Sequence, residues 1–322
     1  MDSYIYSNIT QTKARDGYIT AVSRNVILML LYFFINYING TLVHTFVSHE
    51  IINENPRYIL FIHMVVNDMI QLTISVMLHL IVYIFYRINV SLCCFLLIIA
   101  IFTTLNTPLN LAGMAIERYI AICNPLYHSQ ICTMRRTYIL ISLIWFLGSI
   151  PILPDLFILV ATEPSEFFYS PIICSRDSVF RQPYLVEKRN ISHLIYLSFV
   201  WLTLVYTYFR IMFAAKAVGS QVKKARNTII LHGLQLVLCM FTYIGPPLEG
   251  FFTTFFPTFT SEIRYINFLF VHVLPRFLSP IIYGWRDQML SSYLKRNLLC
   301  WSQCKSVTST MSGSYYVLIY PY

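Results

Sequence analysis

The sequence predicts an all-α membrane protein, a bundle of seven transmembrane helices followed by a short amphipathic eighth helix. The chain has 322 residues, 57% hydrophobic and only 11% charged, with a mean hydropathy of +0.61. A soluble domain carries about 25% charged residues, so the polar surface here cannot cover a water-facing globule. Charge-poor apolar runs recur seven times, each close to or above the roughly 20 residues needed to cross a hydrocarbon core. They lack the alternation of β-barrel strands, and a helix satisfies its backbone polar groups within one segment, so helices are the spanning form.

A polar tail, residues 1–25, contains no apolar core of signal-peptide length, so the first span is expected to act as its own insertion signal. That span, Val26–Val47, is interrupted only by uncharged polar residues and His44. The second lies between Arg57 and Arg87 and holds one acid, Asp68. The third, Ile88–Ile116, contains no Asp, Glu, Lys or Arg. The fourth covers Tyr138–Val160, the fifth Ile191–Phe209, the sixth Thr228–Gly250, and the seventh Tyr265–Gly284 with Arg276 inside it. Residues 26–284 thus form one membrane domain. Residues 285–322 open with WRDQMLSSYLKRNLL, amphipathic and basic, which reads as a short helix on the inner membrane surface. Cys300 and Cys304 follow, as acylation sites or as ordinary reduced thiols.

The net charge of +9 reads as topology and lipid-headgroup attraction, not as a nucleic-acid footprint. Seven spans put the termini on opposite faces. The overall Lys/Arg bias is weak, but Arg135, Arg136, Lys216, Lys223, Lys224 and Arg226 flank the expected inner ends of spans three to six. The chain is therefore expected as a multi-pass plasma-membrane protein, N-terminus outside and C-terminus in the cytoplasm. That makes the sequon at Asn8 usable for glycosylation. Asn89 and Asn190 also begin sequons, close to membrane edges, and Asn39 begins one inside a span. No internal repeat marks a transporter, and only Ala161–Arg189 forms a long loop. Six of the eight histidines, His44, His63, His79, His193, His232 and His272, are scattered over different spans, so no metal, cofactor or enzymatic centre is expected. Of eight cysteines, only Cys93, Cys94 and Cys174 fall near the outer face.

The run MAIERYIAICNPLYH, Met114 to His128, sits where span three leaves the membrane. It resembles the third-helix signature of rhodopsin-like receptors, and more narrowly the MAxxRYxAICxPLxY pattern of odorant receptors. Lys223-Lys224-Ala225-Arg226-Asn227-Thr228 with His232 is similar to that family's KAxxTCxxHL, Ile229 and Gly233 replacing its cysteine and leucine. Span seven ends Ser279-Pro280-Ile281-Ile282-Tyr283-Gly284 against Asn-Pro-x-x-Tyr, with Ser279 in place of asparagine. Asn39 in span one and Asp68 in span two match as well. With Asn55-Pro56-Arg57-Tyr58, the pattern looks like a fish-type odorant receptor and covers all seven spans.

The resemblance implies a Cys93–Cys174 disulfide, with Cys94 left in its helix. It implies that Arg118 is held at rest beside Glu117 and released, with Tyr119, toward a G protein, where Tyr208 helps hold it. Lys224 and His232 would belong to the same inner machinery, with Pro280 and Tyr283 supplying a kinked, bistable end of span seven. Asp68 binds sodium in related receptors, here with Thr107, although Ser279 alters that network. Arg276 is expected to face the bundle, either paired with Asp68 in the sodium volume or snorkelling without a fixed partner. The ligand set carried over is Leu97, Ala100, Ile101 and Thr104 from span three, and Ser192, His193, Tyr196, Met240, Tyr243, Ile244, Leu269 and His272 from spans five to seven. It holds neither an amine-binding acid nor a strong cationic pair. The function implied is an odorant receptor that couples an extracellular small-molecule odorant to a heterotrimeric G protein of the stimulatory, olfactory type. The alternative is a seven-span transporter or channel, for which repeats, broken helices and paired internal ions would speak; only Asp68 and Arg276 point that way.

Overall fold

The computed structural model describes residues 2–218 and 247–286, with single positions at 234, 237, 238, 240, 244, 245 and 292; side chains are described over 17–214 and 247–280 and at those single positions. Helix α1 (Asp2–Val47) is continuous through the polar tail into the first span. After the short α2 (Glu50–Asn53), α3 (Pro56–Phe85) starts where Asn55 accepts a hydrogen bond from the Arg57 amide at 3.1 Å and Pro56 takes the first turn. Tyr86, at φ 56°, turns the chain into β1 (Ile88–Asn89), and α4 (Val90–Cys123) follows. Then come α5 (Pro125–Ile131), α6 (Met134–Ser149) and α7 (Ile152–Thr162). The long loop holds α8 (Ser165–Tyr169), β2 (Pro171–Ile172) and α9 (Arg176–Val179) before α10 (Pro183–Val218). Residues 247–255 form α11. A 3-10 turn, Pro257–Phe259, leads to α12 (Thr260–Phe268), a π-helical turn (Leu269–Val273) and α13 (Leu274–Arg286).

Among the described residues five helical stretches are long and apolar enough to cross a membrane: Gly17–Val47, Pro56–Phe85, Val90–Cys123, Met134–Thr162 and Pro183–Ala214. The expected sixth span lies largely outside the described residues, as does the amphipathic segment after Arg286. The expected seventh is helical throughout, in three pieces. The structure refines two of the expected spans. The fourth is one stretch whose helix is interrupted at Pro151, between α6 and α7, and the fifth lies within α10, which already begins at Pro183. There is also a β element, the antiparallel pair Ile88↔Ile172 and Asn89↔Pro171 just before α4.

Proline placement explains two cross-helix bonds. A proline has no N–H, so the carbonyl four residues earlier loses its helical donor. Pro151 does this to Leu147, and the Tyr196 hydroxyl of α10 donates to that carbonyl instead. Pro275 does it to Val271, and Arg276 Nη1 donates there at 2.5 Å. The helix packing itself is apolar. One core joins α3, α4, α6 and α10 through Met64, Leu111, Ile144 and Val200. A second, at the N-terminal end of α4, gathers Val90, Cys93, Leu97, Phe167, Val179 and Phe180. A third joins α1, α3 and the seventh span through Leu28, Ile35, Leu72 and Val273. The large apolar residues left exposed, such as Phe33, Phe146, Phe157 and Leu202, form the lipid-facing surface of a membrane bundle.

Candidate functional site

At the N-terminal end of α4 the long loop is pinned to that helix. Cys93 and Cys174 are joined, with Cα atoms 5.5 Å apart, and Cys94 stays free and buried in its helix. Ser91 Oγ donates to the Phe168 carbonyl at 2.8 Å, and the Arg181 guanidinium lies 4.5 Å from the centre of the Phe167 ring. A salt bridge ties α7 to α10: Lys188 Nζ to Asp155 Oδ1 at 2.5 Å, with the Pro151 carbonyl accepting from the same amine at 3.2 Å. This pair was missed in the sequence, although Asp155 stands as a lone acid inside the fourth span.

Beneath the loop lies a cavity of about 400 Å³. Its walls are Ser75 of α3, Ala100, Ile101, Thr104 and Leu105 of α4, Arg176 and Asp177 of the loop, Arg189, Asn190 and His193 of α10, Pro247, and His272 of the π turn. Of the expected ligand residues, Ala100, Ile101, Thr104, His193 and His272 are thereby brought together. Leu97 is instead buried in the outer apolar cluster with Val179 and Phe180. Tyr196 is spent on the Leu147 carbonyl, and Leu269 packs with the α1–α3 cluster. Ser192 does not line the cavity. Met240 accepts a hydrogen bond from Trp201 at 3.4 Å, Ile244 is exposed, and Tyr243 lies outside the described residues. The expectation of no cationic pair is also corrected. Arg176 and Arg189 both reach the wall, because the loop folds inward and α10 starts early enough to carry Arg189 on a helix.

A second cavity of about 610 Å³ is lined by residues of α1, α3, α11, α12 and the π turn, and His272 lines both. Here Arg24 donates to Glu262 at 2.8 Å and to Ser261 at 3.0 Å, and Asn267 donates to Glu249 at 2.8 Å. The hydrogen bond from Arg24 holds the Glu262 carboxyl below the usual carboxylate range.

Deeper in the bundle, Asn39, Asp68, Thr107, Arg276 and Ser279 are all buried. Asp68 is hydrogen-bonded to Ser279, whose hydroxyl also reaches the Pro275 carbonyl at 2.9 Å. No ion pair joins Asp68 and Arg276 among the described residues. The arginine is drawn to Val271, which Pro275 has deprived of a donor, and acts on Asp68 only as a nearby charge. Thr107 is turned toward Asn67, which donates to it at 3.0 Å and to the Thr103 carbonyl at 2.9 Å. Asn39 has no hydrogen-bond partner for its side chain among the described residues. One network missed in the sequence spans three helices: Trp145 Nε1 donates to His63 Nε2 at 2.6 Å, and His63 Nδ1 meets Asn110 Oδ1 at 2.8 Å. Among the described residues no group of three or more His, Cys, Asp or Glu is placed to hold a metal.

At the C-terminal end of α4 Glu117 is held between Arg118, at 3.5 Å, and His128 of α5, at 3.2 Å. His128 closes the very motif that carried the resemblance, at the place of its final tyrosine. Tyr119, Ile122, Cys123 and Tyr208 pack around the buried Ile211, and Tyr119 and Tyr206 rings lie 6.0 Å apart. Pro280 lies inside α13. Tyr283 has a described backbone only, while Lys224 and His232 lie outside the described residues, as does the side chain of Asn8.

Long apolar helices, a cavity roofed by the long loop, a buried carboxylate at Asp68 and a paired Glu117-Arg118 at the far end of α4 mark a multi-pass membrane protein. The model of the seven-transmembrane receptor (rhodopsin) family matches residues 38–283. The chain belongs to that family, which is one of receptors and not of enzymes. It is similar to a zebrafish (Danio rerio) protein named odorant receptor 131-2, 28% identical over 285 residues that make up 87% of each chain. It is also similar to human (Homo sapiens) olfactory receptor 4K1, 24% identical over 84% of this chain and 83% of that one. Human olfactory receptor 2AP1 is 29% identical over 58% of this chain and 61% of its own.

Proposed function

We propose that this receptor is an odorant receptor. It binds a small extracellular molecule in the cavity under the long loop and activates a heterotrimeric G protein of the stimulatory, olfactory type. The observation that carries the reading is likeness along nearly the whole chain to proteins named as odorant and olfactory receptors. The N-terminus with Asn8 lies outside, and the plasma membrane is the site of action.

The cavity supports a transmission route. Its walls come from α3, α4, α10 and the π turn of the seventh span, so a ligand that binds one arrangement of these helices better than another shifts the equilibrium between them. At the inner end of α4 and α10, Glu117, Arg118, His128, Tyr119 and Tyr208 stand where such a shift would release Arg118. The test is cyclic AMP in cells that carry the surface-tagged chain with and without an olfactory-type Gα subunit. Ligand-evoked cyclic AMP that requires the Gα subunit is expected. Ligand-driven current in cells lacking any G protein would instead make the chain a channel.

A further inference from the structure

The outer cavity carries charge at one end and apolar surface at the other. Ala100, Ile101 and Leu105 supply the apolar wall. The two hydroxyls deeper in are already engaged: Thr104 donates to the Ala100 carbonyl at 2.7 Å and accepts from Gln71 at 2.5 Å, and Ser75 meets His272 at 3.3 Å. Recognition of a polar headgroup therefore falls to the charged end. There two arginines, Arg176 and Arg189, face one acid, Asp177, and both guanidinium charges bear on His193.

The acid does not cancel that end. Asp177 accepts from Arg189 Nη1 at 2.9 Å, but its side chain is 75% exposed while that of Arg189 is 22% exposed. An exposed partner screened by water contributes little. A guanidinium also has five N–H donors in a planar fork that matches a carboxylate, and Asp177 engages Nη1. A cationic ligand would meet two like charges here, and an uncharged one would leave the fork unused.

We infer that this cavity is built for a small amphipathic anion, a carboxylate on a short apolar body, with Arg189 and Arg176 recognising the charge. The inference rests on the cavity being the ligand site, as proposed above. A volume of about 400 Å³ lies at the small end of ligand pockets and suits a chain of a few carbons.

The test uses butyrate, hexanoate and octanoate, each beside the alcohol, methyl ester and primary amine of the same chain length. Two readouts are taken: Gα-dependent cyclic AMP in cells, and the melting temperature of the purified full chain. Carboxylates should raise both, with the alcohols and esters at least about tenfold weaker in potency. Arg189→Gln and Arg176→Gln, compared at equal surface level, should each lower carboxylate potency by about tenfold or more, and Arg189→Lys should retain part of it. Equal potency of esters and carboxylates, preference for the amines, unchanged carboxylate potency in both glutamine variants, or no stabilisation by any carboxylate would each overturn the inference. Stabilisation by carboxylates without cyclic AMP would leave the anion site standing and remove the coupling function. Cyclic AMP from alcohols or esters alone would do the reverse.

Discussion

Arg276 Nη1 donates to the Val271 carbonyl at 2.5 Å, the acceptor whose α-helical donor would have been the nitrogen of Pro275. A buried arginine thus repairs a backbone defect created by its own neighbour. A buried acceptor left without a donor costs about 1–3 kcal/mol. Arg276→Leu should therefore lower the melting temperature of the purified receptor, and Pro275→Ala in that background, which restores a backbone N–H, should recover part of the loss. Equal melting of the single and double variants would refute the repair.

Arg118→Ala should abolish G-protein activation while leaving ligand binding within a modest factor. Arg118 sits beside Glu117 at the inner end of α4, far along that helix from the Ala100–Leu105 cavity wall. Wild-type cyclic AMP amplitude at equal surface expression would exclude Arg118 as the coupling residue.

Cys93→Ser and Cys174→Ser should each strip surface expression, and the double variant should fare no worse, because all three delete one bond. Loss of a disulfide costs about 2–5 kcal/mol in small secreted domains. Cys94→Ser should be nearly silent, since that thiol is free and packed within α4. A Cys94 defect equal to the Cys93 defect would contradict the pairing.

Tryptophan nitrogen only donates, so His63 Nε2 must be the bare acceptor and Nδ1–H must face Asn110 Oδ1. His63→Ala and Trp145→Phe should each destabilise by roughly 1 kcal/mol, and the two losses should combine to less than their sum because one bond is shared. Strict additivity in thermal melts would show that the bond contributes nothing.

Arg24, where α1 passes from its polar part into the first apolar run, and Glu262 tie α1 to α12. The folded-state carboxyl is held below its ordinary value by the Arg24 hydrogen bond. Its contribution is thus complete above the ordinary glutamate pKa of about 4.3 and fades as pH falls through the lowered folded value. The melting difference between wild type and Glu262→Gln should hold from pH 7 to 5 and shrink only below about pH 4. A difference that instead vanished between pH 7 and 6 would assign it to another group.

Much of the scaffold was legible along the chain. Apolar run length marks a membrane helix whatever surrounds it, since lipid demands internally satisfied backbone, and the five long apolar stretches fall where charge-poor runs lie. The Glu117-Arg118 pair was readable because neighbouring residues at one helix end meet by local geometry alone. Helix boundaries were less readable. Glu187, Lys188 and Arg189 stand just before the fifth apolar run, yet they belong to the same helix, α10.

Composition, run length and motif order by themselves determined a helical membrane bundle of the rhodopsin family, because each depends on residues close in sequence. Only the tertiary structure decided which side chains share the outer cavity, since the loop carrying Arg176 had to fold inward under the Cys93–Cys174 link to meet Arg189. It also decided that Tyr196 and Arg276 donate to proline-orphaned carbonyls. The partner of a buried polar group is whichever unsatisfied atom lies within hydrogen-bond reach. That distance is set by how helices rotate and pack, which no spacing along one helix contains.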